Sequence, residues 1–396
     1  MGMRAWVAAA AVVVSALVPA PARAADPIVN TDPPAVTGEA TFGVVLETSK
    51  GSWTPDGLTL SYSWERDGVA IPGATTRWHR TNLDDLGHTL TATVTATDGT
   101  GATLSVVTTP TDVVRRARFS LESRPEISGV TRYTHQLATT AGSWSAKPAS
   151  VRYRWLRAGK PVKGATKPTY RLGVKDVGRR IKVQVTVRRP GYVKATATSS
   201  ATRAIRHLIP VRRSVTYSVV TRGTITADLA VFKRQVQQTY DDPRGWRAAG
   251  VEFHRVKRGG SFTVVLAQAG KVPSFSSQCS AQWSCRVGRY VIINQLRWQH
   301  ATPSWNSRHL PLRGYRHMVV DHETGHWLGH GHIGCPGAGR LAPVMMQQSK
   351  SLAGCRHNPW PLKSERWFRI AGRTEVGRPE GREVAEGPLS PWAVAG

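Results

Sequence analysis

Between residues 26 and 205 the chain alternates apolar and polar residues over short runs, as in Leu58-Thr59-Leu60-Ser61-Tyr62-Ser63-Trp64 and Ile181-Lys182-Val183-Gln184-Val185-Thr186-Val187. A period of two sends successive side chains to opposite faces, so each run predicts a strand with one face in a core and the other in water. Gly, Pro and Asp interrupt the runs, as turns between short strands require. Trp64 and Trp155 fall within such runs, where core packing is the expected job and carbohydrate stacking the lesser alternative. Past residue 214 the period changes. Strands are expected at 216–220, 251–256, 262–267 and 290–298, and Leu229, Phe232, Val236 and Tyr240 line one face of a helix that Thr226 would cap and Pro243 would stop. That mixture predicts an α/β domain.

The two β-rich segments repeat each other. Gly51-Ser52-Trp53 returns as Gly142-Ser143-Trp144, Tyr62-Ser63-Trp64 as Tyr153-Arg154-Trp155, Gly73-Ala74-Thr75 as Gly164-Ala165-Thr166 and Gly87 as Gly178, always 91 residues on. One structural unit used twice explains a register that never slips, and 80 to 90 residues of short strands imply a sandwich. The Gly-x-Trp, Tyr-x-Trp, Gly-Ala-Thr and Asp-x-x-Gly pattern resembles bacterial immunoglobulin-like repeats of exported surface proteins. That resemblance implies a spacer or wall-adhesion role and no chemistry.

The first residues, Met1-Gly2-Met3-Arg4 followed by an apolar run to Val18 and Ala22-Arg23-Ala24, read as a signal peptide cleaved before Ala25. The run is short for a membrane span, and no later stretch reaches that length, so a secreted or cell-wall-associated chain without a membrane span is expected. The resulting map is signal peptide 1–24, first repeat 25–114, second repeat 115–205, linker 206–213, α/β domain 214–368 and a polar, disordered tail 369–396.

Charge and cysteines refine this picture. The formal charge of +29 is regional: residues 26–113 hold 4 basic and 11 acidic side chains, whereas residues 118–205 hold 19 basic and 3 acidic. A basic second repeat fits contact with an anionic cell-wall polymer, and equally a solvated arginine-rich face. No aromatic-and-basic recognition motif interleaves with it, which argues against nucleic acid. The four cysteines, all in the C-terminal half, favour disulfides in an exported chain, and proximity pairs Cys279 with Cys285 and Cys335 with Cys355.

The chemistry concentrates in His322-Glu323-Thr324-Gly325-His326-Trp327-Leu328-Gly329-His330-Gly331-His332. On a helix His322 and His326 share a face and can offer ring nitrogens to one metal ion, while Glu323 is placed to act on a water rather than on the metal. Gly329 permits a sharp helix end, after which His332 can return as third ligand, with His330 as its rival. Helix-end surface histidines are the plain alternative.

This H-E-x-x-H-x-x-G-x-x-H pattern resembles that of metzincin zinc peptidases. The resemblance implies Zn²⁺ held by His322, His326 and His332, Glu323 as general base, and a methionine turn at Met345 within Pro343-Val344-Met345-Met346. Gln347 and Gln348 stand where some metzincins carry a tyrosine, which removes that oxyanion donor. More narrowly, Asp242-Pro243-Arg244-Gly245-Trp246, the histidine motif, Ala342-Pro343-Val344-Met345-Met346-Gln347-Gln348, and Cys355 before Asn358-x-Trp360-Pro361 resemble a family of exported actinobacterial zincin-like domains. The expected fold is therefore multidomain, with two all-β immunoglobulin-like sandwiches followed by an α/β metzincin-like zincin domain. The expected activity is a secreted zinc metalloendopeptidase acting on a peptide or protein substrate, with 290–296 as the edge strand that pairs with it. A zinc amidase acting on cell-wall peptides and a non-catalytic wall-binding protein with a structural zinc are the alternatives.

Overall fold

The computed structural model describes residues 26–370 and 373–376. They form two compact units, one reaching Ser120 and including Trp144–Ser150 and Val187–Ala195, the other made of Leu121–Ser143, Val151–Thr186 and residues from Thr196 onward. The expected signal peptide, 1–24, and the part of the expected tail beyond 376 lie outside the described residues. Across the expected boundary at 368, Phe368–Ile370 pairs antiparallel with Arg373–Val376.

Most of the regular structure is β-sheet. In the first β-sandwich a four-stranded sheet, ordered Val69–Ala70, Thr59–Arg66, Leu90–Thr97 and Thr103–Val107, shares a core with the sheet of Val36–Thr37, Val45–Thr48 and Trp78–Arg80. Trp64 is fully buried there among Leu46, Leu90 and Ala92, as the alternating pattern predicts. Its indole N–H donates to Thr76 O at 2.9 Å, which satisfies the one polar atom such a ring brings into a core. The second sandwich repeats the device 91 residues on, with Trp155 buried and its indole donating to Lys167 O at 2.9 Å. Buried Asp85 accepts from Arg66 at 2.7 Å and contacts His79 at 2.9 Å; in the second copy Asp176 accepts from Arg157 at 2.6 Å and from the Tyr170 hydroxyl at 2.8 Å. A buried carboxylate is tolerated because charge-assisted donors replace its water.

The C-terminal part is built on a five-stranded sheet in the order Val251–Arg255, Arg213–Arg222, Phe262–Ala267, Tyr290–Asn294, Cys285–Val287. The first four strands run parallel and Cys285–Val287 is antiparallel. Phe262–Ala267 is buried at every position, as a parallel strand covered on both faces must be. Val264, Leu266, Val291 and Ile293 belong to the main core with residues of the two long helices, Leu229–Tyr240 and Leu312–Trp327. On the other face Val265, Ala267 and Ile292 pack with Val272 and Cys279.

Three local expectations are corrected. The cap of Leu229–Tyr240 is Asp228, whose carboxylate accepts from Ala230 N at 2.8 Å and Val231 N at 2.9 Å; the Thr226 amide instead donates to Gln295. The strand expected to reach 298 stops at Asn294, because the Asn294 side chain caps a new helix, Gln295–His300, by accepting from Leu296 N at 3.0 Å. Tyr290–Asn294 is also an interior strand, hydrogen-bonded to Phe262–Ala267 on one side and Cys285–Val287 on the other. The edge position falls to the short antiparallel Cys285–Val287. Both cysteine pairs, Cys279–Cys285 and Cys335–Cys355, are disulfides.

Candidate metal centre

The helix Leu312–Trp327 is fixed by its apolar residues before its histidines do anything. Tyr315, Met318, Val319 and Val320 are buried in the main core, and each full side chain so buried contributes about 1.5 to 3 kcal/mol. His322 and His326 stand one turn apart on this helix. After Leu328 the chain leaves the helix through Gly329 at φ 101°, a conformation that side chains with a Cβ disfavour. His332 is thereby returned to the other two, and the ligand atoms of all three lie within 4.8 Å of one another.

The ring orientations are set by carbonyl groups. His322 Nδ1 faces Val344 O at 2.8 Å, and His326 Nδ1 faces His330 O at 2.9 Å. A carbonyl only accepts, so each ring carries its hydrogen on Nδ1 and turns the Nε2 lone pair inward. His326 Nε2 lies 3.2 Å from both His322 Nε2 and His332 Nε2. The lone pairs of His322 and His326 repel at that distance, and a cation among the three rings would relieve the repulsion. Burial, followed by the neighbouring His332, lowers the His326 pKa to about 4, and burial also holds His322 far below its ordinary value. Both rings are therefore neutral at physiological pH, the form in which an imidazole can bind a metal.

Glu323 is only 6 % exposed beside His322, and burial pushes its carboxyl up to about 8. His330, the rival of His332, is turned elsewhere: its Nε2–H donates to Trp367 O at 2.8 Å, and its ring packs on Trp246 and Trp367. Met345 is completely buried beneath the helix at Gly325.

Sequence reasoning did not single out Glu365. Its carboxylate accepts from the amides of Met345 at 2.8 Å, Val344 at 3.0 Å and Leu362 at 2.7 Å, and so pins the turn whose carbonyl orients His322. Tyr240 and Trp246 are legible in the sequence only as a helix-face residue and as part of a motif; in the fold the Tyr240 hydroxyl meets Thr324 Oγ1 at 2.8 Å and the Trp246 indole donates to Asp321 O at 2.8 Å. Beyond the centre itself, Arg286 lies on the edge strand opposite Val291. Directly paired residues share a face, and Val291 points into the helix-side core, so Arg286 stands on the side of the sheet that carries the histidines.

Among solved structures, the chain is similar to the three N-terminal domains of the bacteriophage RB49 Highly Immunogenic Outer Capsid protein, at 16% identity over 49% of this chain and 65% of that one, with a TM-score of 0.21. It is also similar to the tandem Ig repeats of Dlar, at 14% identity over 43% of this chain and 96% of that one, with a TM-score of 0.14. No curated protein matches the chain. Residues 196–358, which contain all three histidines, match a family described as a protein of unknown function, DUF3152.

Proposed function

We propose that the chain is a zinc-dependent metallopeptidase of metzincin type, with His322, His326 and His332 as ligands and Glu323 as general base. The observation that carries this reading is the convergence of three histidine ring nitrogens beside a buried carboxyl. Zinc fits the donor set: a tetrahedral ion about 2.0 to 2.1 Å from each nitrogen spaces them roughly 3.3 Å apart, and His326 Nε2 lies 3.2 Å from each of the other two. Bound there, zinc would supply Lewis acidity toward a carbonyl and toward water.

The chain's own residues divide the remaining work. Glu323, buried next to His322, would as the carboxylate take a proton from the attacking water and return it to the departing amine. Glu365 and Val344 fix the turn that orients His322. The Cys285–Val287 strand, bonded on one side to Tyr290–Asn294, offers its other side to an extended peptide. The two disulfides support a place outside the reducing cytoplasm, and no helix among the described residues is long and apolar enough to cross a membrane.

The test is metal analysis of the full chain joined to cleavage of a peptide library and of wall muropeptides, comparing wild type with Glu323→Gln. One zinc per chain in both proteins, with cleavage in wild type alone, is the expected result. Cleavage that survives Glu323→Gln refutes the base. Zinc without cleavage of either substrate set identifies a structural metal in a binding protein.

A further inference from the structure

Within the second compact unit a cavity of about 350 Å³ is lined by Arg212, Arg244, Arg247, Lys363 and Arg366, with Tyr133, Thr134 and His207 at its wall, and none of His322, His326 and His332 lines it. The cavity is built by backbone ties rather than left by loose packing. Tyr133 N–H donates to Arg206 O at 2.8 Å, and Arg212 N–H donates to Gly250 O at 2.8 Å.

Arg247 is the informative residue. It is only 7 % exposed, yet among the described residues the one acceptor its guanidinium reaches is Ile209 O at 2.9 Å. A guanidinium has five N–H donors and a charge that is costly to bury without a counter-ion. Three nearby carboxylates are engaged elsewhere: Asp242 holds Arg244 through two bonds at 2.8 and 2.9 Å, Glu252 contacts His254 at 2.9 Å, and Glu365 accepts backbone amides. Arg244 is additionally fixed over the Trp360 ring at 4.3 Å. Among the described residues no carboxylate forms a salt bridge with Arg212, Arg247, Lys363 or Arg366. Four cations without ion-pair partners therefore share one concave site, and burial pushes the Arg247 and Arg366 guanidinium groups below their ordinary values.

We infer that this cavity binds a phosphate ester of a small polyol or sugar. Planar guanidinium forks match phosphate oxygens in pairs, and several unpaired cations favour a doubly charged oxyanion over a single carboxylate. The remaining lining suits the organic part: Tyr133 and Thr134 carry hydroxyls, while Leu208, Ile209 and Ala248 give it apolar contact. The site is independent of the metal centre and of the peptidase reading.

The test is calorimetric titration of the full chain with inorganic phosphate, glycerol 1-phosphate and glycerol. Saturable binding of both phosphates and none of glycerol is expected, with glycerol 1-phosphate the tighter. Arg247→Gln should weaken it at least tenfold. Because that residue is buried, the exposed Lys363→Ala is measured beside it, with a threefold loss or more expected and the melting temperature unchanged. Arg189→Gln, in a basic surface elsewhere, should bind as wild type. No saturable phosphate binding, or affinity that survives both cavity substitutions, overturns the inference; so does equal loss in Arg189→Gln, which would mark diffuse surface charge.

Discussion

The thioether of Met345 occupies the space that a side chain on Gly325 would need, and the Trp246 ring lies 2.7 Å from the same point. An exposed helical glycine replaced by alanine gains up to about 1 kcal/mol from propensity. Here the sign should reverse, because Met345 and Trp246 are both fully buried and overpacking costs about 1 to 3 kcal/mol. Gly325→Ala is therefore expected to lower the denaturant midpoint and to loosen zinc retention on dialysis. A raised midpoint would show that Met345 moves aside freely.

Glu365 acts on the metal centre from outside it. Three backbone amides end on its carboxylate, two of them from Val344 and Met345, and the Val344 carbonyl orients His322. Glu365→Gln keeps the shape but replaces one acceptor oxygen by a donor facing amide N–H groups. The expected cost is about 1.5 to 3 kcal/mol of stability from charge-assisted bonds, with a 10- to 100-fold loss of zinc affinity as for other groups that hold ligands in place. Competition with a zinc chelator reads the affinity. A variant that melts early but binds zinc normally would confine Glu365 to a structural role.

What the chain order reveals and what it hides follow from the range of the interactions. His322, His326, Gly329 and His332 lie within 11 consecutive residues, and helix geometry alone relates the first two, so their spacing could be read directly. The cysteine pairs are likewise near in sequence, at separations of 6 and 20. Trp64 and Trp155 were legible because strand alternation fixes which face they occupy. Glu365 has no local signature: its bonds to the Met345 turn span 20 residues and exist only in the fold. The strand Tyr290–Asn294 was misplaced at the edge because alternation does not tell which neighbours a strand has; only the hairpin with Cys285–Val287 settles it. Thr226 and Asp228 are both good cap residues, and the Gln295 side chain, far along the chain, takes the amide of the first.

The Cys335–Cys355 bridge closes the loop that carries the Met345 turn, and Ala342, Met346 and Cys355 pack together beside it. Closing a loop of that length restrains the unfolded chain by about 3 kcal/mol in the chain-entropy account. The double replacement Cys335→Ser with Cys355→Ser should lower stability by about that much and raise the zinc off-rate. The Cys279–Cys285 bridge closes a much shorter loop, so replacing that pair should cost less. Equal losses for the two pairs, measured by urea unfolding at pH 7, would contradict the loop-length argument.

Arg286 stands at the open edge of the sheet on the histidine side, and its charge helps to depress the His326 pKa. Lys350 acts on His322 and His332 in the same sense. On the proposed peptidase reading, peptides with an acidic side chain near the scissile bond should therefore be cleaved better than basic ones. Arg286→Glu is expected to reduce that preference about tenfold in kcat/KM, the effect of roughly 1.4 kcal/mol, without changing zinc content. An unchanged ranking of acidic and basic peptides would remove Arg286 from substrate selection.

His317 is one of the buried histidines that make the C-terminal part sensitive to acid. Burial, with Arg313 adding to it, lowers its pKa to about 3, and its Nδ1 meets Thr239 Oγ1 at 3.0 Å against the Trp360 ring. The unfolded chain protonates this ring near pH 6.5, while the folded chain resists until about 3. Protons are thus bound preferentially by the unfolded state across that interval, so stability must fall as pH drops from about 6.5 toward 3 and level off below it. His317→Gln, which keeps a polar atom for Thr239 and cannot titrate, should flatten this slope in urea unfolding of the zinc-free protein at pH 7, 5.5 and 4. Both curves falling in parallel would assign the acid sensitivity to other groups.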